Sequence, residues 1–239
     1  MPQVKHFTAV SLVCMSFQAL SFSPFNGQFV VQGGGFYSNA GKSQHINIRT
    51  LTGDQYTVTQ SHDQNGLFGL GYLIPGPRVQ RVLMNYGVNV FYLPKINVQG
   101  TIIQENEFVN LGYSYGIKQV PVYATAKALI MNHSDQLGLT VDAGIGPNFI
   151  KTTFVNEWPI NNSNAIPDRA FLGRNNTVLT VMAGAGLRIN HVFGKAPLEC
   201  GYRYFYLGKG SFNKRSAEWL NTLTTGSNYA HAVICSVTV

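Results

Sequence analysis

Five ionisable residues in this chain stand inside otherwise apolar stretches, at Lys127, Asp142, Arg188, Glu199 and Arg203. Two are carboxylates and three are cations, and each occupies the polar parity of a segment that alternates residue by residue. Charges of both signs confined together pair with one another, so the first expectation is a salt-bridged interior rather than a reactive one. Reactive candidates lie elsewhere, at His45, Asp54, His62, Asp63 and His231. Ser61, His62 and Asp63 are consecutive, and a proton relay needs groups converging from separate segments. Val233 stands two residues after His231, where a histidine–serine arrangement would need a hydroxyl. His133 and His191 are isolated, and no metal-ligand spacing occurs. The expectation is therefore no enzyme, no catalytic residue, no metal and no cofactor.

The elements that position the five charges are strands. In Leu198–Gly210, LECGYRYFYLGKG, one parity reads Leu198, Cys200, Tyr202, Tyr204, Tyr206 and the other Glu199, Gly201, Arg203, Phe205, Leu207. Side chains alternate across a strand, so one face is apolar and aromatic while the other carries a carboxylate and a guanidinium. That is inverted for a soluble sheet and fits a lipid-facing wall around a polar lumen. Eight such segments are predicted: Gly27–Ser38, Gly66–Ile74, Val82–Leu93, Val120–Met131, Leu137–Asn148, Val178–Asn190, Leu198–Gly210 and the end of the chain from Tyr229. The second is expected to leave through a turn at PGPRVQR. Connections between segments are alternately long and short, as in outer-membrane barrels with long extracellular loops and short periplasmic turns. Two more alternating stretches, Ile96–Gln104 and Phe108–Ile117, either extend the third and fourth strands or form an extra hairpin. The fold expected is all-β, an eight-stranded antiparallel up-and-down transmembrane β-barrel, with ten strands as the alternative.

Composition agrees. Charged residues make up 11% of the 239 and hydrophobic ones 45%, well below the quarter of charge usual in soluble domains. No internal run of eighteen apolar residues exists, and a closed barrel is the other structure that satisfies every backbone group in lipid. Residues 1–21 read as a signal peptide with Lys5 as its basic end and Phe7–Ala19 as its apolar stretch, leaving 22–239 as one barrel domain. The formal charge of +7 falls to +6 without Lys5; anionic lipid headgroups, and not nucleic acid, are the partners expected of it. Cys200 and Cys235 fall on neighbouring strands at one end of the barrel. A lateral pair strains the preferred disulfide dihedral, so two small apolar residues is the favoured reading and a bond the alternative.

The whole expected barrel resembles the small outer-membrane barrels of Gram-negative bacteria, and GYRYFYLGKG at Gly201–Gly210 looks like the penultimate strand of the opacity and surface-antigen group, relatives of the transmembrane domain of outer membrane protein A. The resemblance implies a cell outer membrane location, handling by the outer-membrane assembly machinery, and a structural or surface-interaction role. That group usually ends on an aromatic residue, where this chain has Val239.

The rim is the expected functional region. Lys118, Lys151, Arg174, Lys209, Lys214 and Arg215 lie near extracellular strand ends or in loops, placed for charge-assisted contacts to lipopolysaccharide phosphates. Tyr37, Tyr92, Tyr206 and Tyr229 suit an aromatic girdle. Loops rich in Asn, Ser, Thr and Gly suit a host or cell-surface ligand. A narrow porin-like channel for small solutes or apolar compounds is the second reading, and a lipid-modifying enzyme, with a site at the extracellular rim, the third.

Overall fold

The computed structural model describes residues 27–132, 136–161, 163–193 and 196–239. The expected leader and its cut near Phe22 lie outside the described residues. Strands follow in chain order as β1 (Gln28–Asn39), β2 (Gln44–Ile46), β3 (Asp54–Gln60), β4 (His62–Val79), β5 (Val82–Gln104), β6 (Phe108–Met131) and β7 (Leu137–Thr152). After them come β8 (Asn156–Pro159), β9 (Phe171–Leu172), β10 (Asn175–Phe193), β11 (Ala196–Ser211), β12 (Asn213–Lys214) and β13 (Thr224–Thr238).

Eight of these close a ring. The order β1, β4, β5, β6, β7, β10, β11, β13 is antiparallel at every step. Its last seam returns to β1 from Val30↔Thr238 to Asn39↔Tyr229. The eight expected segments are these eight strands, and none of the ring's edges is left unpaired below the rim. Alternation does the sorting: Phe68, Leu70, Val88, Val90, Leu139, Val141 and Val233 are exposed on the outside. Gln32, Asn89, Lys127, Asp142, Glu199 and Arg203 are buried within.

The two extra alternating stretches are continuations, so the ten-strand alternative is not what forms. β5 has 23 residues and β6 has 24, about twice the 9–11 that cross a bilayer. Pro94 and Lys95 fall where the β5–β6 register shifts, between Leu93 and Ile96. Proline supplies no ladder donor and is tolerated at such a bulge. The same physics corrects the PGPRVQR turn. Pro75 to Arg78 is a register shift inside β4, and the chain reverses only at Gln80–Arg81, with Gln80 at φ 53°.

Cys200 and Cys235 are disulfide-bonded, which corrects the favoured reading of two free residues. They are register partners on β11 and β13 with Cα atoms 4.1 Å apart, so strand pairing itself delivers the two sulfurs to one another. Replacing both by serine is expected to lower stability to urea in lipid vesicles by about 2–4 kcal/mol through the freed unfolded chain. A reductant should reproduce the loss in the parent protein, and unchanged midpoints would remove the bond from the account.

The long loops carry strands of their own. β3 pairs with the upper half of β5 and β2 with β3, β8 pairs with the upper half of β6, and β9 pairs with β12. Tyr56, Tyr113, Tyr115, Phe171 and Phe212 are buried between these pieces. Their rings touch edge-on, with Tyr115 to Phe212 at 4.9 Å and Tyr56 to Tyr113 at 5.2 Å between centroids. Trp219 closes the cluster against Phe171 and bridges to Ile48. A packed extracellular cap thus stands on the barrel.

Candidate functional site

The lumen charges meet in one tier. Register sets Lys127 on β6 opposite Asp142 on β7, Asp142 opposite Gly184 on β10, and Gly184 opposite Arg203 on β11. A Cβ on Gly184 would lie 2.5 Å from Asp142 Oδ1 and 2.6 Å from Arg203 Cγ. Glycine there lets the guanidinium reach across a whole strand. Arg203 donates from Nε and Nη2 to Asp142 Oδ2 at 2.9 and 2.6 Å. Lys127 Nζ bonds Glu199 Oε2, and Glu199 Oε1 stands 3.9 Å from Arg203 Nη2. Arg203 Nη1 also donates to Gln32 Oε1. From Gln32 the chain of bonds runs to Asn89 at 2.7 Å and on to Thr125 at 3.0 Å. Five of the eight wall strands are tied through the interior, and both carboxylates are held by cations, so neither is a free base.

Arg188 shares the inward parity and faces Glu199 in register, yet it is not in the tier. Its Nε donates to Asn190 Oδ1 at 2.9 Å, at the periplasmic mouth, beside Arg78 and Arg81. Alternation alone had grouped it with the other four.

Directly above the charged tier lies an aromatic one that sequence reading missed. Phe91 and Phe205, both wholly buried, meet edge-on at 5.3 Å, with Tyr123 6.1 Å from Phe91. The Arg203 guanidinium sits 5.7 Å from the Phe91 ring, within cation–π range. Tyr123 shares a hydrogen bond of 2.9 Å with Thr180. Phe205 on the otherwise polar parity of LECGYRYFYLGKG was the available clue.

Of the reactive candidates, Ser61 Oγ is 3.2 Å from His62 Nδ1, but Asp63 turns away to accept the N–H groups of Asn97 and Gln64 at 2.9 Å. His62 stacks on Tyr37, and His231 lies on the outer wall against Tyr202 Oη at 2.6 Å. Ser61, His62, Asp63 and His231 do not converge, while His45, with Nε2 3.1 Å from Thr52 O, lies close enough to Asp54 to act on it electrostatically.

A carboxyl cluster does form in the cap. Asp54 and Glu157 are buried near Asp168, around Tyr56. Burial, with the charges of Asp168 and Glu105 adding, pushes Asp54 up to about 6, against an N–H bond from Glu105 at 3.2 Å. Burial likewise raises Glu157, which is bonded by Arg169 N–H at 2.7 Å and Tyr56 Oη at 3.3 Å, and raises Asp168. A folded-state value above the ordinary 3.8 means the closed cap holds the Asp54 proton more tightly than the open one. That contribution is complete below the ordinary carboxylate range and is lost as pH rises through about 6. Cap opening, read as hydrogen exchange of the β2 and β3 amides corrected for intrinsic chemistry, is expected to rise about 100-fold from pH 4 to pH 7.5. Asp54→Asn should reduce the rise, leaving the part that Glu157 and Asp168 contribute; a parent profile already flat would refute the coupling.

The six basic candidates separate into four groups. Lys118 and Lys151 are exposed register partners on β6 and β7, at the top of the apolar belt beside Phe149. Arg174 Nη1 donates to Ser211 Oγ at 3.3 Å. Lys209 stands on the β10–β11 face, while Lys214 and Arg215 belong to the cap, Lys214 Nζ donating to Leu220 O at 3.3 Å. Of the girdle tyrosines, Tyr37 and Tyr92 are exposed on the outer wall, and Tyr206 packs on Tyr229 at 5.5 Å.

A closed antiparallel ring with an apolar outside, a charged and hydrogen-bonded inside and an elaborated rim defines an eight-stranded transmembrane β-barrel. No protein-family model and no curated protein sequence matches the chain. Among solved structures the chain is similar to the outer membrane protein OprG from Pseudomonas aeruginosa, at 14% identity, covering 89% of this chain and 96% of that one, with a TM-score of 0.47. It is also similar to the outer membrane protease OmpT from Escherichia coli, at 10% identity, 93% and 99% coverage and a TM-score of 0.46. Neisserial surface protein A is similar at 10% identity, 87% and 95% coverage and a TM-score of 0.41.

Proposed function

We propose that this barrel serves the cell surface as a structural or interaction protein, presenting its cap to an extracellular ligand and seating itself among lipopolysaccharide phosphates through its basic rim. Its lumen is closed by charged pairs and carries no solute, and the protein performs no covalent chemistry. The observation that carries the reading is the cap. The four long connections pack an aromatic core of Tyr56, Tyr113, Tyr115, Phe171 and Phe212, which builds a fixed outer surface above a side-chain-filled interior. An eight-stranded barrel has width enough only for its own side chains or one small ligand.

The test pairs two measurements on the refolded chain. In a planar bilayer the parent is expected to be silent. Cells displaying the parent are expected to attach to a target surface or retain lipopolysaccharide, and cells displaying a variant with 44–60 replaced by a short Gly–Ser link are expected to lose attachment. Steady conductance by the parent would transfer the function to the channel reading. Equal attachment by the two proteins would remove the cap from it.

A further inference from the structure

The β10–β11 seam is interrupted near the rim. Its ladder runs up to Val181↔Tyr206 and stops. Five residues further on, an unbroken register would set Asn176 opposite Ser211, and that pair is indeed joined, but by the Asn176 side chain. Asn176 Nδ2 donates to Ser211 O at 3.1 Å, while Asn176 Oδ1 accepts from Ser211 N at 3.2 Å and Oγ at 2.8 Å. Between these points the strands part. On the lumen side Thr180 Oγ1 donates to Tyr206 O, and Asn148 reaches from β7 to Leu207 O at 2.7 Å. Two of the carbonyls freed by the parting are thereby satisfied from within, as an apolar surrounding requires.

On the outer side the parting leaves a crevice of about 460 Å³, lined by Val178, Leu179, Val181, Tyr206, Gly208 and Lys209. Gly208 makes the fold at this place possible. It has φ +78°, and a Cβ there would lie 2.5 Å from Val178 Cγ2. The volume falls in the range of small-molecule sites. Its walls are apolar, its mouth opens on the lipid-facing belt beside Tyr206, and its one charge is the exposed ammonium of Lys209.

We infer that this crevice binds one acyl chain of a phosphorylated lipid of the outer leaflet, with Lys209 on the phosphate. An acyl chain alone is matched by the apolar wall anywhere around the belt. What selects a phosphorylated lipid is the cation at the crevice mouth, at the depth where headgroups begin. The inference deepens the lipopolysaccharide contact proposed above and rests on it.

The probe is phosphatidic acid carrying a diazirine in its acyl chain, doped into phosphatidylcholine vesicles that hold the refolded full chain, with diazirine-labelled phosphatidylcholine as the neutral control. Crosslinks are expected to concentrate at 178–181 and 206–209, with the acidic probe favoured about fivefold, the size of one lysine's attraction near an anionic surface. Lys209→Gln should erase that preference. Leu179→Trp, at a position already exposed to lipid, should fill the crevice and cut labelling there by either probe without affecting the wall at Phe68 and Leu70; heat-modifiable mobility checks folding. Even labelling around the belt, or a preference that survives Lys209→Gln, overturns the inference. Acidic-probe labelling gathered instead beside Lys118 and Lys151 removes the crevice and keeps the rim reading. No phosphate preference on any face removes both.

Discussion

Replacing Arg203 by leucine should cost about 3–5 kcal/mol of stability, the usual consequence of deleting one member of a buried ion pair. The loss is larger than a hydrogen-bond count suggests because of what stays behind. Asp142 is left buried without the two bonds it receives at 2.9 and 2.6 Å, and Gln32 Oε1 loses its donor. Glu199 keeps Lys127 but loses the guanidinium 3.9 Å away. Urea unfolding of the barrel in lipid vesicles, followed by tryptophan fluorescence and by mobility, measures the change. The double variant Arg203→Leu, Asp142→Leu should recover a large part of it, because a buried pair replaced whole by apolar side chains is often neutral. A single variant within about 1 kcal/mol of the parent would mean that water reaches the tier and that the charges do not close the lumen.

Truncating the aromatic tier should be comparably severe. Phe205→Ala is expected to cost about 3–5 kcal/mol, since a large buried ring is lost and rigid wall strands cannot collapse into the space. Phe91 and Tyr123 would lose their neighbour at 5.3 and 6.0 Å. Combined with Arg203→Ala, the substitution removes material from two successive tiers, and discrete openings in a planar bilayer are expected where either single variant stays silent. Silence in the double variant would place the seal higher, at Asn148, Gln119 and the cap; openings in Phe205→Ala alone would make the aromatic tier the seal.

These two tiers illustrate what could be read in advance. Strand identity and facing followed from period-two alternation, a local property written in consecutive residues, so the eight wall strands and the inward parity of Lys127, Asp142, Glu199 and Arg203 were legible. Parity and even register do not say which way a long side chain turns: Arg188 stands opposite Glu199, yet its guanidinium bonds Asn190 and forms no ion pair with the other four charges. One strand end was misjudged at a proline: Pro75 was read as the start of a turn, but a bulge absorbs it within a continuing β4, whereas β5 runs on past Pro94 as one of the two readings of that stretch had it.

By itself, then, the sequence determined the architecture: which segments are strands, which face of each meets lipid, and that a closed ring is the only way to satisfy them. Only the tertiary structure decided the rest. Register around the closed sheet brought Arg203 over Gly184 to Asp142, set Cys200 opposite Cys235 on the adjacent strand, and gathered Tyr56, Phe171, Phe212 and Trp219 from three separate connections into the cap. Those meetings depend on the stagger and closure of the whole sheet, a global quantity to which no single window of residues has access.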